Sequence, residues 1–149
     1  MKATAEIVIE RPVAAVWQWA ADPRQWHRWQ GGVREVRVEG ELEEGSRFTS
    51  KQDYGDDQQE VEFEVVERRA PRLQVVRSLS DAFPFEGRLE LSEDVGGTRV
   101  RQTVDAAPAD AIARLAFVVA RPYVRRTMRK AIAQQLARLK AMVELEAVL

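Results

Sequence analysis

From residue 33 to residue 107 the apolar side chains recur at every second position, and from Pro108 onward they recur with a helical period. A long period-two stretch followed by one long helical stretch leaves few folds open. An antiparallel sheet with one apolar face must be covered, and only the C-terminal helix is long enough to cover it. The expected class is therefore α+β, with a curved antiparallel sheet of about seven strands wrapped around a long C-terminal helix.

Residues 3–10 supply the first strand. Ala3, Ala5, Ile7 and Ile9 fall on one side, and Thr4, Glu6, Val8 and Glu10 on the other. Pro12 suits a helix first turn, Val13, Val16, Trp17 and Ala20 follow at helical spacing, and Asp22-Pro23 ends the run. A second short helix carries Trp26 and Trp29 and closes at Gly31-Gly32. The remaining strands are expected at 33–39, 46–53, 59–69, 73–79, 85–93 and 98–106, joined by short links rich in Gly, Asp and Pro. Short links make sequential strands antiparallel neighbours. Val61, Phe63 and Val65 should face in and Glu60, Glu62 and Glu64 out. After Pro108 the stripe through Ile112, Leu115 or Ala116, Val119, Tyr123 or Val124, Met128, Ile132, Leu136, Leu139 and Val143 reads as one long helix or as two helical stretches meeting at Pro122, with a continuous helix kinked there the favoured form.

Length and composition narrow the function. The chain has 149 residues, which at ~100–200 residues per domain is one domain, 1–149. With no cysteine and one histidine, disulfides, thiolate nucleophiles, Cys-containing zinc sites and multi-histidine metal clusters are excluded. No metal or cofactor is expected. The longest uncharged apolar stretch near the C-terminus, 115–120, is far shorter than a membrane span, and the first residues carry no apolar run of a secretory leader, so a cytoplasmic location is expected. High Ala, Arg and Val usage suggests a bacterial source.

Net charge is −1, which builds in no bulk attraction to nucleic acid or anionic membrane. The distribution is less even. From Pro108 onward there are eight basic and three acidic residues, and Arg125, Arg126, Arg129 and Lys130 form an exposed flank of the helix. Residues 53–67 hold seven acids and no base.

The run Ile9-Glu10-Arg11-Pro12-Val13-Ala14-Ala15-Val16-Trp17, then Asp22-Pro23, the Trp26/Trp29 pair and the closing Leu136-Ala137-Arg138-Leu139-Lys140 with Glu144, resembles the polyketide cyclase/dehydrase-like branch of the START (SRPBCC) superfamily. The resemblance covers essentially the whole chain. It implies the helix-grip architecture and a cavity between sheet and long helix that takes a hydrophobic ligand. It carries over no catalytic motif.

Polar residues on faces that should be apolar mark where such a cavity lies. Gln102 falls between Val100 and Val104, Ser50 and Gln52 between Phe48 and Tyr54, and Arg77 shares parity with Leu73, Val75 and Leu79. A dry core would exclude them, since a buried unpaired polar group costs roughly 1–3 kcal/mol. A pocket that orients a ligand needs a few. The competing reading is a bulge that flips the register, or Arg77 snorkelling out at the edge. Trp26, Trp29, Phe48, Phe63, Phe83, Phe85, Phe117, Val119 and Tyr123 are candidates for the wall and mouth, with Phe83-Pro84-Phe85 as a gate, while for Phe63 and Trp17 ordinary core is the preferred reading. His27 has no serine partner or nucleophile elbow and reads as solvated.

Three functions remain from this reading. The first is binding of a small hydrophobic or aromatic ligand, lipid, polyketide or quinone-like, by a monomer or homodimer. The second is a cyclase or dehydratase using the same cavity. The third is an RNA-, ribosome- or chaperone-associated protein using the basic helix flank, with nucleic acid the less favoured partner.

Overall fold

The computed structural model describes residues 1–54, 56–79, 84–106 and 110–147. Seven strands form one antiparallel sheet: β1 (Lys2–Ile9), β2 (Val33–Val38), β3 (Arg47–Tyr54), β4 (Asp57–Arg69), β5 (Leu73–Ser78), β6 (Phe85–Asp94) and β7 (Gly97–Ala106). Their spatial order is β1-β7-β6-β5-β4-β3-β2, so β2 to β7 form a six-strand meander and β1 pairs with β7 at its far edge. Helices α1 (Val13–Ala20) and α2 (Trp26–Trp29), bridged by a 3₁₀ turn at Pro23–Gln25, follow β1. Helices α3 (Ala111–Val119) and α4 (Arg121–Glu146) complete the chain. The α+β class expected from the two periods, and the helix-grip architecture that the resemblance implies, are the observed ones.

Alternation sets the inner face. Val61, Phe63 and Val65 are buried, and Glu60 and Glu62 are exposed. Across the β3–β4 ladder Phe48 stands opposite Phe63 and their rings stack at 5.2 Å. Trp26 presents its edge to both, at 5.4 Å and 6.1 Å, and Phe85 meets Phe63 edge-on at 5.5 Å. These are favourable aromatic geometries, so the cluster fixes α2 against the sheet.

The C-terminal segment differs from the expected continuous kinked helix. It is two helices, broken at Ala120, whose φ of −88° and ψ of 10° leave the helical region. Pro122 explains the break, because it has no N–H to give to the preceding turn and occupies the first turn of α4, where none is required. The buried stripe of α4 then starts at Ile132 and continues through Leu136, Leu139 and Val143. Among the described residues no helix is long and apolar enough to cross a membrane.

Candidate ligand cavity

A cavity of about 210 Å³ lies between α2, α4 and the inner face of the sheet. Trp26, Trp29, Phe63 and Phe85 give it aromatic walls, and Val76, Leu89 and Val104 an aliphatic floor. Five glutamines, Gln30, Gln52, Gln74, Gln102 and Gln135, complete the lining, and none of the described lining residues is ionisable. The i, i+3 spacing of Trp26 and Trp29 places both indoles on one side of α2. Their ring N–H groups donate to the carbonyls of Ala20 (3.3 Å) and Trp19 (3.2 Å), so both indole donors are satisfied by the protein backbone.

The glutamines are not equivalent. Gln74 is committed to the scaffold: its Nε2 donates to the Ala21 carbonyl at 2.8 Å, and its Oε1 accepts from Arg68. The Arg68 guanidinium lies 5.1 Å over the Trp17 ring, and partial burial pulls its pKa below the ordinary arginine value. Gln102 is different. Its Oε1 is buried, and among the described residues nothing donates a hydrogen bond to it. A buried acceptor without a donor costs about 1–3 kcal/mol. Beside it Gly87 withholds a side chain from the wall.

Of the residues expected from sequence, Trp29, Gln52, Phe85 and Gln102 meet in this cavity. Phe48 is buried behind Phe63 and supports the wall without forming it. Ser50 is fully buried beneath the sheet with its Oγ unpartnered, off the cavity lining. Phe63, for which the sequence favoured core over wall, serves both.

Arg77 requires correction, because it is exposed and stands opposite Glu64 and Glu86 on the outer face. The register of β5 is set by Phe63 opposite Ser78 and Val65 opposite Val76, which turns Gln74, Val76 and Ser78 inward. Adjacent Val75 and Val76 made either parity plausible, and a bulge between Val65 and Glu67 disguised the choice. Val119 and Tyr123 are likewise corrected. Both are exposed and off the cavity lining, since the break at Ala120 separates them from the part of α4 that packs. Phe83 lies outside the described residues.

Gln135, Gln74, Gln30 and Gly87 were missed. Gln135 left a signal, a polar residue inside the helical stripe between Ile132 and Leu139. His27 is exposed. In the outer carboxylate row Glu62 and Glu64 pair with Arg47 at 3.6 Å and 3.9 Å. Among the described residues no three His, Cys, Asp or Glu side chains are grouped to hold a metal.

The sequence pattern of the family described as polyketide cyclase/dehydrase and lipid transport matches residues 1–144. The chain belongs to this family. The START-type resemblance drawn from the N-terminal run and the Trp pair therefore holds over nearly the whole chain. No curated protein matches it. Among solved structures, a protein of unknown function from Staphylococcus aureus superposes with a TM-score of 0.79 at 9% identity, over 100% of this chain and 96% of that one. The di-domain ARO/CYC StfQ of the steffimycin biosynthetic pathway gives 0.78 at 14% identity, over 99% of this chain and 52% of that one. The AHSA1-like protein from Aeromonas hydrophila gives 0.69 at 21% identity, over 100% and 96%. At these identities the likeness is one of fold. In this member of the polyketide cyclase/dehydrase and lipid transport family the described cavity lining is aromatic and aliphatic with five glutamines and no charged side chain.

Proposed function

We propose that the protein binds a neutral, mostly apolar molecule of one or two fused rings that carries a hydrogen-bond donor. The observation that carries this reading is the buried Oε1 of Gln102, without a donor among the described residues, in a cavity whose described lining holds no charge. A donor on the ligand would satisfy that oxygen, while an anionic or cationic ligand would lose its hydration without gaining a counter-charge. Size supports the same class. An apolar cavity of ~150 Å³ accommodates benzene, and pockets for drug-sized ligands begin near ~300 Å³. A volume of about 210 Å³ falls between the two and suits a bicyclic ring better than a multi-ring polyketide or an acyl chain.

A cyclase or dehydratase would use the same cavity, but proton transfer there would need a titrating wall group. Binding is the reading the described lining favours.

The test is a titration with 2-naphthol, naphthalene and 1-naphthoate, followed by the emission of Trp26 and Trp29. The expected order of affinity is naphthol, then naphthalene, then naphthoate, with Gln102→Leu erasing the preference for naphthol over naphthalene. Tightest binding of the naphthoate, or no binding of any probe, overturns the proposal.

A further inference from the structure

Helix α3 turns its aliphatic side chains to solvent. Ile112, Leu115 and Val119 recur at i, i+3 and i+7 on one face, while Ala113 and Phe117 are half-buried on the other. With Val118 and Tyr123 they are 56–81% exposed. Asp110 caps the helix, accepting from the N–H groups of Ile112 (2.8 Å) and Ala113 (3.0 Å), which favours the helical form that presents this face.

The first turns of α4 add charge of one sign. Arg121, Arg125, Arg126, Arg129 and Lys130 are exposed, and no acidic residue occurs between Asp110 and Glu144. A shallow surface groove is lined by Pro122, Arg125, Arg126, Arg129, Lys130 and Ala133. A contiguous apolar face beside a purely cationic groove has one natural complement, a surface that offers hydrocarbon and phosphate side by side. A second copy docked symmetrically through this face would bring the same cations against one another. The acidic stretch at 53–67, whose Val61, Phe63 and Val65 are buried, would offer the groove carboxylates but little hydrocarbon for the aliphatic face. An RNA would answer the cations and leave the aliphatic face wet, because it binds through phosphates and stacked bases.

We propose that α3 and the first turns of α4 dock on the surface of an anionic bilayer. The aliphatic face enters the boundary between headgroups and acyl chains, and the arginines and Lys130 take the lipid phosphates. The overall charge of −1 does not oppose this, because screening confines the attraction to charges within about 10 Å of the lipid. The proposal is independent of the ligand in the cavity.

Flotation with vesicles of phosphatidylcholine alone, and of phosphatidylcholine with phosphatidylglycerol, tests it. Binding is expected only to the second kind and should weaken as salt rises. Arg125→Glu with Arg126→Glu should lower affinity at least ~25-fold, on the basis of roughly 5-fold per surface cation removed. Leu115→Glu with Val119→Glu should abolish binding with the thermal melt unchanged, since these side chains are exposed. Equal binding to both vesicles, or wild-type binding by the Leu115/Val119 variant, overturns the proposal. So does absence of flotation at low salt, whether the face then proves to hold a second copy, an RNA or nothing.

Discussion

Gln102 and Gly87 are diagonal neighbours on the β6–β7 ladder, and the Gln102 Nε2 lies 3.4 Å from where a Cβ on residue 87 would stand. That Cβ would also meet the Val76 Cγ2 at 3.6 Å. Both are ordinary contact distances, so the wall has room for a methyl group and the strand does without one. Glycine inside a strand costs roughly 0.5–1 kcal/mol relative to alanine. Gly87→Ala should therefore raise stability by up to about that amount and weaken ligand binding by filling the space beside Gln102. Urea denaturation and the naphthol titration measure the two effects. Lower stability with unchanged binding would show that Gly87 serves the backbone and not the cavity.

Two glutamine-to-leucine substitutions should move stability in opposite directions. At residue 102 the change removes a buried acceptor that has no donor among the described residues, so stability should rise by about 1 kcal/mol while the preference for a donor-bearing ligand is lost.

At residue 74 the same change strips the donor from the Ala21 carbonyl and the acceptor from Arg68, leaving both less satisfied inside the protein. Gln74→Leu should cost about 1–3 kcal/mol, read as a fall in the urea midpoint. If the two variants shift the midpoint alike, the distinction between a scaffold glutamine and a ligand glutamine fails.

That distinction also marks what the sequence could and could not disclose. Gln102 was legible because Val100 and Val104 bracket it in a strand with one clear parity. Gln74 was not, because Leu73, Val75 and Leu79 outvote Val76 by count, and only the ladder to Phe63 and Val65 decides which face is inside. The strands and short helices were legible throughout, since period and turn residues are local signals. The position of the break before α4 was half-legible. Pro122 announced a disturbance, but its effect depended on whether packing on both sides could hold one axis, and α3 has an exposed outer face instead. Val119 and Tyr123 were misplaced for that reason.

Glu144 anchors the far end of α4, and its contribution should depend on acidity. Its Oε2 accepts from the Lys140 Nζ at 2.6 Å and from the Glu10 N–H at 2.9 Å. Lys140 also donates to the Val8 carbonyl at 2.8 Å, and Arg11 to the Val143 carbonyl at 3.0 Å. The helix end is thus tied to the junction of β1 and α1. The Lys140 hydrogen bond first, and the Glu10 N–H second, hold the Glu144 carboxyl below the usual carboxylate pKa. A pKa lowered by folding gives stability that is fully present above the unfolded value and is lost as pH falls through the folded one. Glu144→Gln keeps the shape and removes the charge, so it should cost about 0.5–1.5 kcal/mol at neutral pH. The gap to wild type should close on acidification below the ordinary carboxylate range, as the native carboxyl takes up its proton. Paired urea midpoints across that range check it. A gap that persists after the carboxylates are protonated would place the stabilisation in the shape of the side chain and not in its charge.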